Sequence, residues 1–231
     1  MKNIVVDFET LSGIPEEFIK RLNLHNDFFI KCHFLEQLAQ NEDINHLIVD
    51  INYFCSGNAI IGYHYTNAIE RDLLEKGIVV RTGRDIRQDF IARHFYLFSE
   101  NEQRQILENW EKQFDAPEAK LRDGFIYFNF LKVALNNGGA EDLLKYYGGE
   151  QVYLPLLPLV KIRKKLEKIG IPMILKCKLN PNDITTSIEN PWGKIAVSKY
   201  HRIVNPAAIL EDRDGYQSVG LSPDKIEIIR L

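Results

Sequence analysis

Apolar positions along the chain recur at two spacings, and these divide it into helical and extended stretches. Residues 3–8 read as a short strand. "IPEEFIKRL" reads as a helix with Pro15 at an early position, and 28–40 and "INHLIVDINYF" as further helical pieces. "CSGN" (55–58) breaks the pattern, which sets a mostly helical N-terminal extension over 1–57 apart from a domain over 58–231. In "IIGYHYTNAIERDLLEKGI" (60–78), Ile60 and Ile61 close an apolar run. From Asn67 onward Ile69, Leu73, Leu74 and Ile78 follow a helical period that Gly77 ends. His64, Tyr65 and Thr66 are thereby predicted at a strand-to-helix junction, where side chains can meet a ligand.

Further along, 85–113 predicts a helix pair with Ile86, Phe90, Phe95, Phe98, Ile106 and Trp110 facing inward, followed by a loop over "FDAPEAKLRDG". "FIYFNF" is a strand by its aromatics and branching. "LKVALNN" is expected to be helical up to Gly138 and Gly139, "EQVYLPL" a strand, and "LVKIRKKLEKIG" a helix stopped by Gly170. "IPMILKCKL" and "KIEIIRL" are strands. Strands mix with scattered helices without a regular βαβ alternation, so the pattern predicts an α+β fold.

Composition adds few constraints. The chain has 231 residues, 45% of them hydrophobic and 26% charged, with a formal net charge of -3, so no global positive field draws it to nucleic acid or anionic lipid. Three dispersed cysteines, Cys32, Cys55 and Cys177, form no CxxC pair, which suits a reducing compartment over a disulfide framework or structural zinc. The start "MKNIVVDFET" carries two carboxylates where a signal peptide needs an apolar stretch, and no segment approaches the roughly 20 apolar residues of a membrane span. These features predict a cytoplasmic protein with no membrane association.

Three stretches carry candidate chemistry: "GYHYTNAIERDLLEKGI", "GFIYFNFLKVALNN" and "YYGGEQVYLPL". They place His64, Tyr127 and Glu150 on or beside predicted strands. In this order and context residues 58–231 resemble the ADP-ribosyltransferase superfamily, in its His-Tyr-Glu branch of diphtheria-toxin-like and poly(ADP-ribose)-polymerase-like catalytic domains. The resemblance implies a split β-sandwich that uses NAD as substrate and needs no metal. It assigns His64 to the adenosine-side ribose, Thr66 to the nicotinamide amide, and Tyr127 to stacking on the nicotinamide ring. Glu150 would be the catalytic residue, bonding the nicotinamide ribose. Arg81, beside Arg84 and Arg87 in "RTGRDIRQDF", would border the pyrophosphate, a contact that suits guanidinium groups.

The residue types fit such chemistry. Breaking the nicotinamide glycosidic bond develops positive charge on the ribose, and a fixed carboxylate stabilises it as it forms. An aromatic face suits a flat cationic ring. The leaving group already carries its charge, so one glutamate suffices. The sequence departs from the family pattern in three places, one of them the short loop between Tyr127 and Glu150. Tyr65 stands where the family has Gly, leaving its backbone to hold the carboxamide. Gly138 falls near a second stacking tyrosine, a part that Tyr146 or Tyr147 could take from the turn.

Arginine-modifying members carry a second Glu two residues before the catalytic one. Here that place is Gly148, so the resemblance implies a non-arginine acceptor; nothing resembles the large regulatory regions of the polymerases, so transfer of a single unit is expected, in a toxin, an effector or a defence component. The acidic chain favours a protein or small-molecule acceptor over nucleic acid, although "KIRKKLEK" (161–168) is a basic amphipathic helix. Two alternatives stand beside this reading. One is a catalytically inactive, transferase-like binding module. The other is a DEDD-type exonuclease, because "IVVDFET" places Asp7 and Glu9 two apart on one strand, where they share a face and could hold metal ions.

Overall fold

The computed structural model describes residues 4–114, 123–211 and 213–231, so most of the loop expected over 114–124 lies outside the described residues. The architecture is α+β. In chain order β1 (Val5–Val6), α1 (Glu16–Asn23), α2 (Asn26–Lys31), α3 (Leu35–Leu38) and α4 (Glu42–Ser56) lead to the long strand β2 (Ala59–Ala68). Then come α5 (Glu70–Lys76), α6 (Gly83–His94), α7 (Glu100–Phe114), β3 (Ile126–Asn129), α8 (Glu141–Lys145), α9 (Glu150–Tyr153) and α10 (Val160–Leu166). β4 (Ile171–Leu179), β5 (Thr185–Thr186), α11 (Pro191–Val204), β6 (Asp214–Gln217) and β7 (Ile226–Arg230) complete the chain. The strands join in the order β5-β6-β3-β2-β4-β7, with β1 pairing to β2 in parallel.

Two compact units share these strands. The first comprises Met1–Tyr63, Tyr127–Val133 and Cys177–Gln217, the second His64–Ile126, Ala134–Lys176 and Ser218–Leu231. Residues 1–57, which the sequence pattern sets apart as an extension, thus pack in one unit with two later segments.

In the first unit α11 lies against α4. Gly193 permits this, since a Cβ there would come within 1.9 Å of the Ile48 carbonyl oxygen. Trp192 stacks on Phe8 and meets the edge of Phe130. α11 is absent from the sequence reading, although Pro191 at its first position is a helix-start signal. Its far end supplies polar groups to α2: the Asn205 Nδ2 donates to the carbonyls of Cys32 and Ile30 at 2.7 and 3.2 Å, and the His201 Nε2 reaches those of Phe29 and Cys32 at 3.0 Å each. Carbonyls at a helix C-terminus have no partner within the helix, and these side chains provide one. All three cysteines are buried thiols, and burial pushes Cys55 and Cys177 up to about 12.

The second unit centres on an aromatic core built by Phe90 of α6, Trp110 of α7 and Phe98 between them, with Tyr146, Tyr147 and Tyr153. The helix pair and its inward residues stand where the sequence puts them. Two other expectations are corrected. The segment after Glu150 is helical, because Val152, Tyr153 and Leu156 are buried while Leu154 is exposed, a helical face and not the alternation of a strand. "LKVALNN" forms only a short 3₁₀ turn, Val133–Leu135. Among the described residues no helix is long and apolar enough to cross a membrane.

The buried His201 gives the fold an acid limit. Burial holds its imidazole below the ordinary 6.5, so below that pH the unfolded chain takes up a proton that the folded chain refuses. Stability should therefore be unaffected by this group above about pH 6.5 and fall as pH drops below it, by at most roughly 1.4 kcal/mol per pH unit. Thermal melts between pH 8 and 5 check this. His201→Gln, which keeps an N–H donor and does not titrate, should reduce the slope and leave the share that the likewise buried His94 contributes.

Candidate functional site

β2 is longer than its sequence suggests. It runs through His64, Tyr65 and Thr66 to Ala68, and the helix that follows begins only at Glu70. The predicted junction is therefore the interior of a strand, where successive side chains point to opposite faces. Tyr63, Tyr65 and Asn67 are buried, whereas His64 and Thr66 are partly exposed. The "HYT" triplet is split in this way: Tyr65 is 4% exposed on the buried face, and His64 and Thr66 share the other. Branched and aromatic residues over 59–66 favour the extended form, and the helical period from Ile69 belongs to α5 alone.

Glu150 follows by three residues a backbone pairing with this strand. Tyr147 forms a parallel bridge with Asn67, the Gly148 N–H donates to the Asn67 carbonyl at 3.4 Å, and the Asn67 side chain donates to the carbonyls of Leu144 and Lys145 at 3.2 and 3.1 Å. Gly148 and Gly149 then adopt φ of 87° and 69°, conformations open to glycine at little cost, and turn the chain into α9 with Glu150 as its first residue.

Neighbouring elements brace this turn. The Arg87 guanidinium donates to the Gln151 Oε1 at 2.7 Å and lies 4.3 Å from the centre of the Phe114 ring. The Trp110 Nε1 donates to the Val152 carbonyl at 2.9 Å within the core. At Gly83, the start of α6, a Cβ would stand 2.0 Å from the Gln151 Oε1 and would push that side chain off its bond to Arg87.

The remaining sequence candidates fall as follows. Tyr147 is 7% exposed and its ring meets the edge of His94, with centroids 4.7 Å apart. Burial raises the Tyr147 phenol, and burial together with the Arg93 charge lowers the His94 imidazole, whose Nε2 is buried with no partner among the described residues. Tyr146 is also buried. Arg81 is exposed and pairs with Asp89 at 3.3 Å. Tyr127 belongs to the first unit, is 36% exposed, and its ring lies 5.4 Å from that of Tyr216. His64, Thr66 and Glu150 thus lie in the second unit on two segments whose backbones pair at Asn67 and Tyr147, with His64 and Thr66 before that pairing and Glu150 after it; Tyr65 and Tyr147 are core residues there, and Arg81 is exposed.

The N-terminal carboxylates have protein partners. β1 ends at Val6, and the chain turns back so that the Asp7 N–H donates to the Ser12 carbonyl at 2.9 Å. Asp7, 6% exposed, accepts from the Tyr63 hydroxyl at 3.0 Å and from the Glu9 N–H at 3.1 Å. Glu9 accepts from the Lys199 Nζ at 2.7 Å and from the Lys132 N–H at 2.9 Å. The strand face that Asp7 and Glu9 were expected to share is replaced by this turn. No group of three or more His, Cys, Asp or Glu side chains that could hold a metal ion occurs among the described residues.

Asn67 was missed as a site residue. The sequence pattern starts a helical period at this residue, and an asparagine there reads as an N-cap; its hydrogen bond to a segment 77 residues away leaves no local trace. No protein-family model matches the chain, and no curated protein or solved structure does so either.

The two glycines before Glu150 are testable. An alanine at 148 needs a left-handed backbone and places its Cβ 2.6 Å from a Val152 methyl. Gly148→Ala should cost about 1–3 kcal/mol from the backbone, plus the displacement of Val152. Gly138→Ala needs a similar φ of 82° in open space and should cost less. Urea unfolding of both variants gives the comparison.

Proposed function

We propose that this chain is an NAD-dependent, mono-ADP-ribosyltransferase-like enzyme. It would cleave the nicotinamide glycosidic bond and pass ADP-ribose to a non-arginine acceptor. The observation that carries the reading is the hydrogen-bonded junction between the end of β2, with His64 and Thr66, and the Gly148–Gly149 turn, with Glu150. Two stretches of sequence that each resemble a motif of one superfamily are joined by this pairing, with Asn67 and Tyr147 80 positions apart in the chain. The same proposal takes the sheet as the split β-sandwich of that superfamily.

In this reading Glu150 holds the nicotinamide ribose and stabilises the positive charge that grows on it as nicotinamide leaves. Its place in the first turn of α9, preceded by a turn held at Asn67 and followed by Gln151 held at Arg87, limits the reorganisation needed as charge develops. His64 binds the adenosine-side ribose and Thr66 the nicotinamide amide, both from the open face of β2. Tyr127 is assigned to the nicotinamide ring by resemblance. Tyr65 contributes through its backbone, and Tyr147 supports the turn from below. Arg81 would exchange its exposed pairing with Asp89 for the pyrophosphate. NAD enters as a substrate and no metal takes part.

One observation favours the second reading, a transferase-like module that binds without turnover. Tyr146 and Tyr147, the residues on hand to replace the missing second stacking tyrosine at Gly138, are both buried in the core. Nicotinamide held on one side only would be less well oriented for bond cleavage.

Incubation of the purified protein with labelled NAD separates the two readings. Wild type should release nicotinamide, with activity unchanged by EDTA. Glu150→Gln should retain NAD binding and lose about 10²-fold or more in turnover, roughly 2.7 kcal/mol of transition-state stabilisation. Binding without release in the wild type supports the module, and near-normal turnover in Glu150→Gln removes Glu150 from the site. In the same assay agmatine and arginine-rich proteins should be poor acceptors, because Gly148 offers no carboxylate to a guanidinium. Label on arginine side chains, located by mass spectrometry, would refute that specificity.

A further inference from the structure

We propose that Asn67 is a positioning residue for Glu150, a latch by which β2 sets where the catalytic turn stands. The inference rests on the transferase reading for its effect on turnover, but the latch itself is a matter of geometry. Asn67 is 2% exposed. Its carbonyl accepts from Gly148, its backbone bridges Tyr147, and its Nδ2 donates to both Leu144 and Lys145, the last two residues of α8. One side chain therefore satisfies two helix-end carbonyls and, with its own backbone, grips the chain on both sides of Tyr147.

The chemistry calls for an amide. Both groups facing the side-chain nitrogen are carbonyl oxygens, so a donor with two hydrogens is required and its orientation is unambiguous. An alanine would leave two buried acceptors unpaired, and an aspartate would set a negative charge against them. The other side of the amide is closed by Gly170, the residue before β4. A Cβ at 170 would stand 2.3 Å from the Asn67 Oδ1 and 2.8 Å from the Ala68 carbonyl oxygen. That Oδ1 has no partner among the described residues, so the donor side alone fixes the side chain. Gly170 is thus a second point from which the latch can be moved, without altering any group that bonds the turn.

Hydrogen–deuterium exchange and steady-state kinetics on the full chain test the proposal. In Asn67→Ala the amides of residues 146–153 should lose about tenfold or more of their protection, with little change in the α6–α7 pair. Turnover of NAD should fall by about tenfold while its KM stays within about twofold, because His64 and Thr66 keep their strand. In a Glu150→Gln background, Asn67→Ala should cause no further loss, since a residue acting through Glu150 has nothing left to act on.

Unchanged protection over 146–153 overturns the proposal, as does an equal further loss of turnover in the Glu150→Gln background. If Asn67→Ala does not fold, Gly170→Ala must reproduce the same local loss of protection, and an unchanged exchange pattern there overturns it too. A wild-type protein that releases no nicotinamide defeats the transferase reading, and the exchange comparison then decides the latch on its own.

Discussion

Short helices leave as many unpaired carbonyls as long ones but have less packing to hold them, and the way this chain satisfies them organises both of its units. In the first unit Asn205 and His201, at the end of α11, supply donors to the last turn of α2. In the second, Asn67 does the same for α8 from the end of β2. A buried carbonyl without a donor costs about 1–3 kcal/mol, comparable to a sizeable part of a domain's net stability. Each of these side chains therefore selects one arrangement of backbone segments and penalises the others.

The consequence differs between the two units. Around α2 the result is a closed corner in which His201 is buried and its imidazole is held below the ordinary value. Around α8 the result is a turn carrying Glu150 at the start of α9. The glycines at 148 and 149 supply the two positive φ values that the turn requires, and the aromatic core beneath, through Tyr147 and Trp110, keeps it from relaxing. The proposed chemistry asks for a carboxylate held still beside a sugar as charge develops on it, and a turn fixed by a strand, a helix end and a packed core is suited to that task.

The N-terminal strand shows the same physics with a different outcome. Asp7 and Glu9 look like a metal-binding pair when the strand is drawn straight through them. In the fold the strand stops, the chain turns back at Ser12, and the two carboxylates are occupied by Tyr63, Lys199 and the backbone of Lys132. A charged pair two residues apart says which face it shares only if the backbone stays extended, and here hydrogen bonding by the carboxylates themselves accompanies the turn.

Local pattern alone determined much of this protein. The α6–α7 pair with Phe90, Phe98, Ile106 and Trp110 inward, the strands at 126–129, 171–179 and 226–230, and the α+β class all follow from spacing, because an apolar period is a property of neighbouring residues. Tertiary structure decided the rest. β2 continues through His64–Thr66, splitting a three-residue motif between two faces, since partners on the sheet extend a strand past the point where its own apolar run ends. Glu150 begins a helix because Val152, Tyr153 and Leu156 find a core on one helical face, a preference that seven residues with a proline among them do not reveal. Tyr147 is core and Asn67 a latch for the same reason: burial and the pairing of a carbonyl with a donor 77 positions away exist only once the chain has folded.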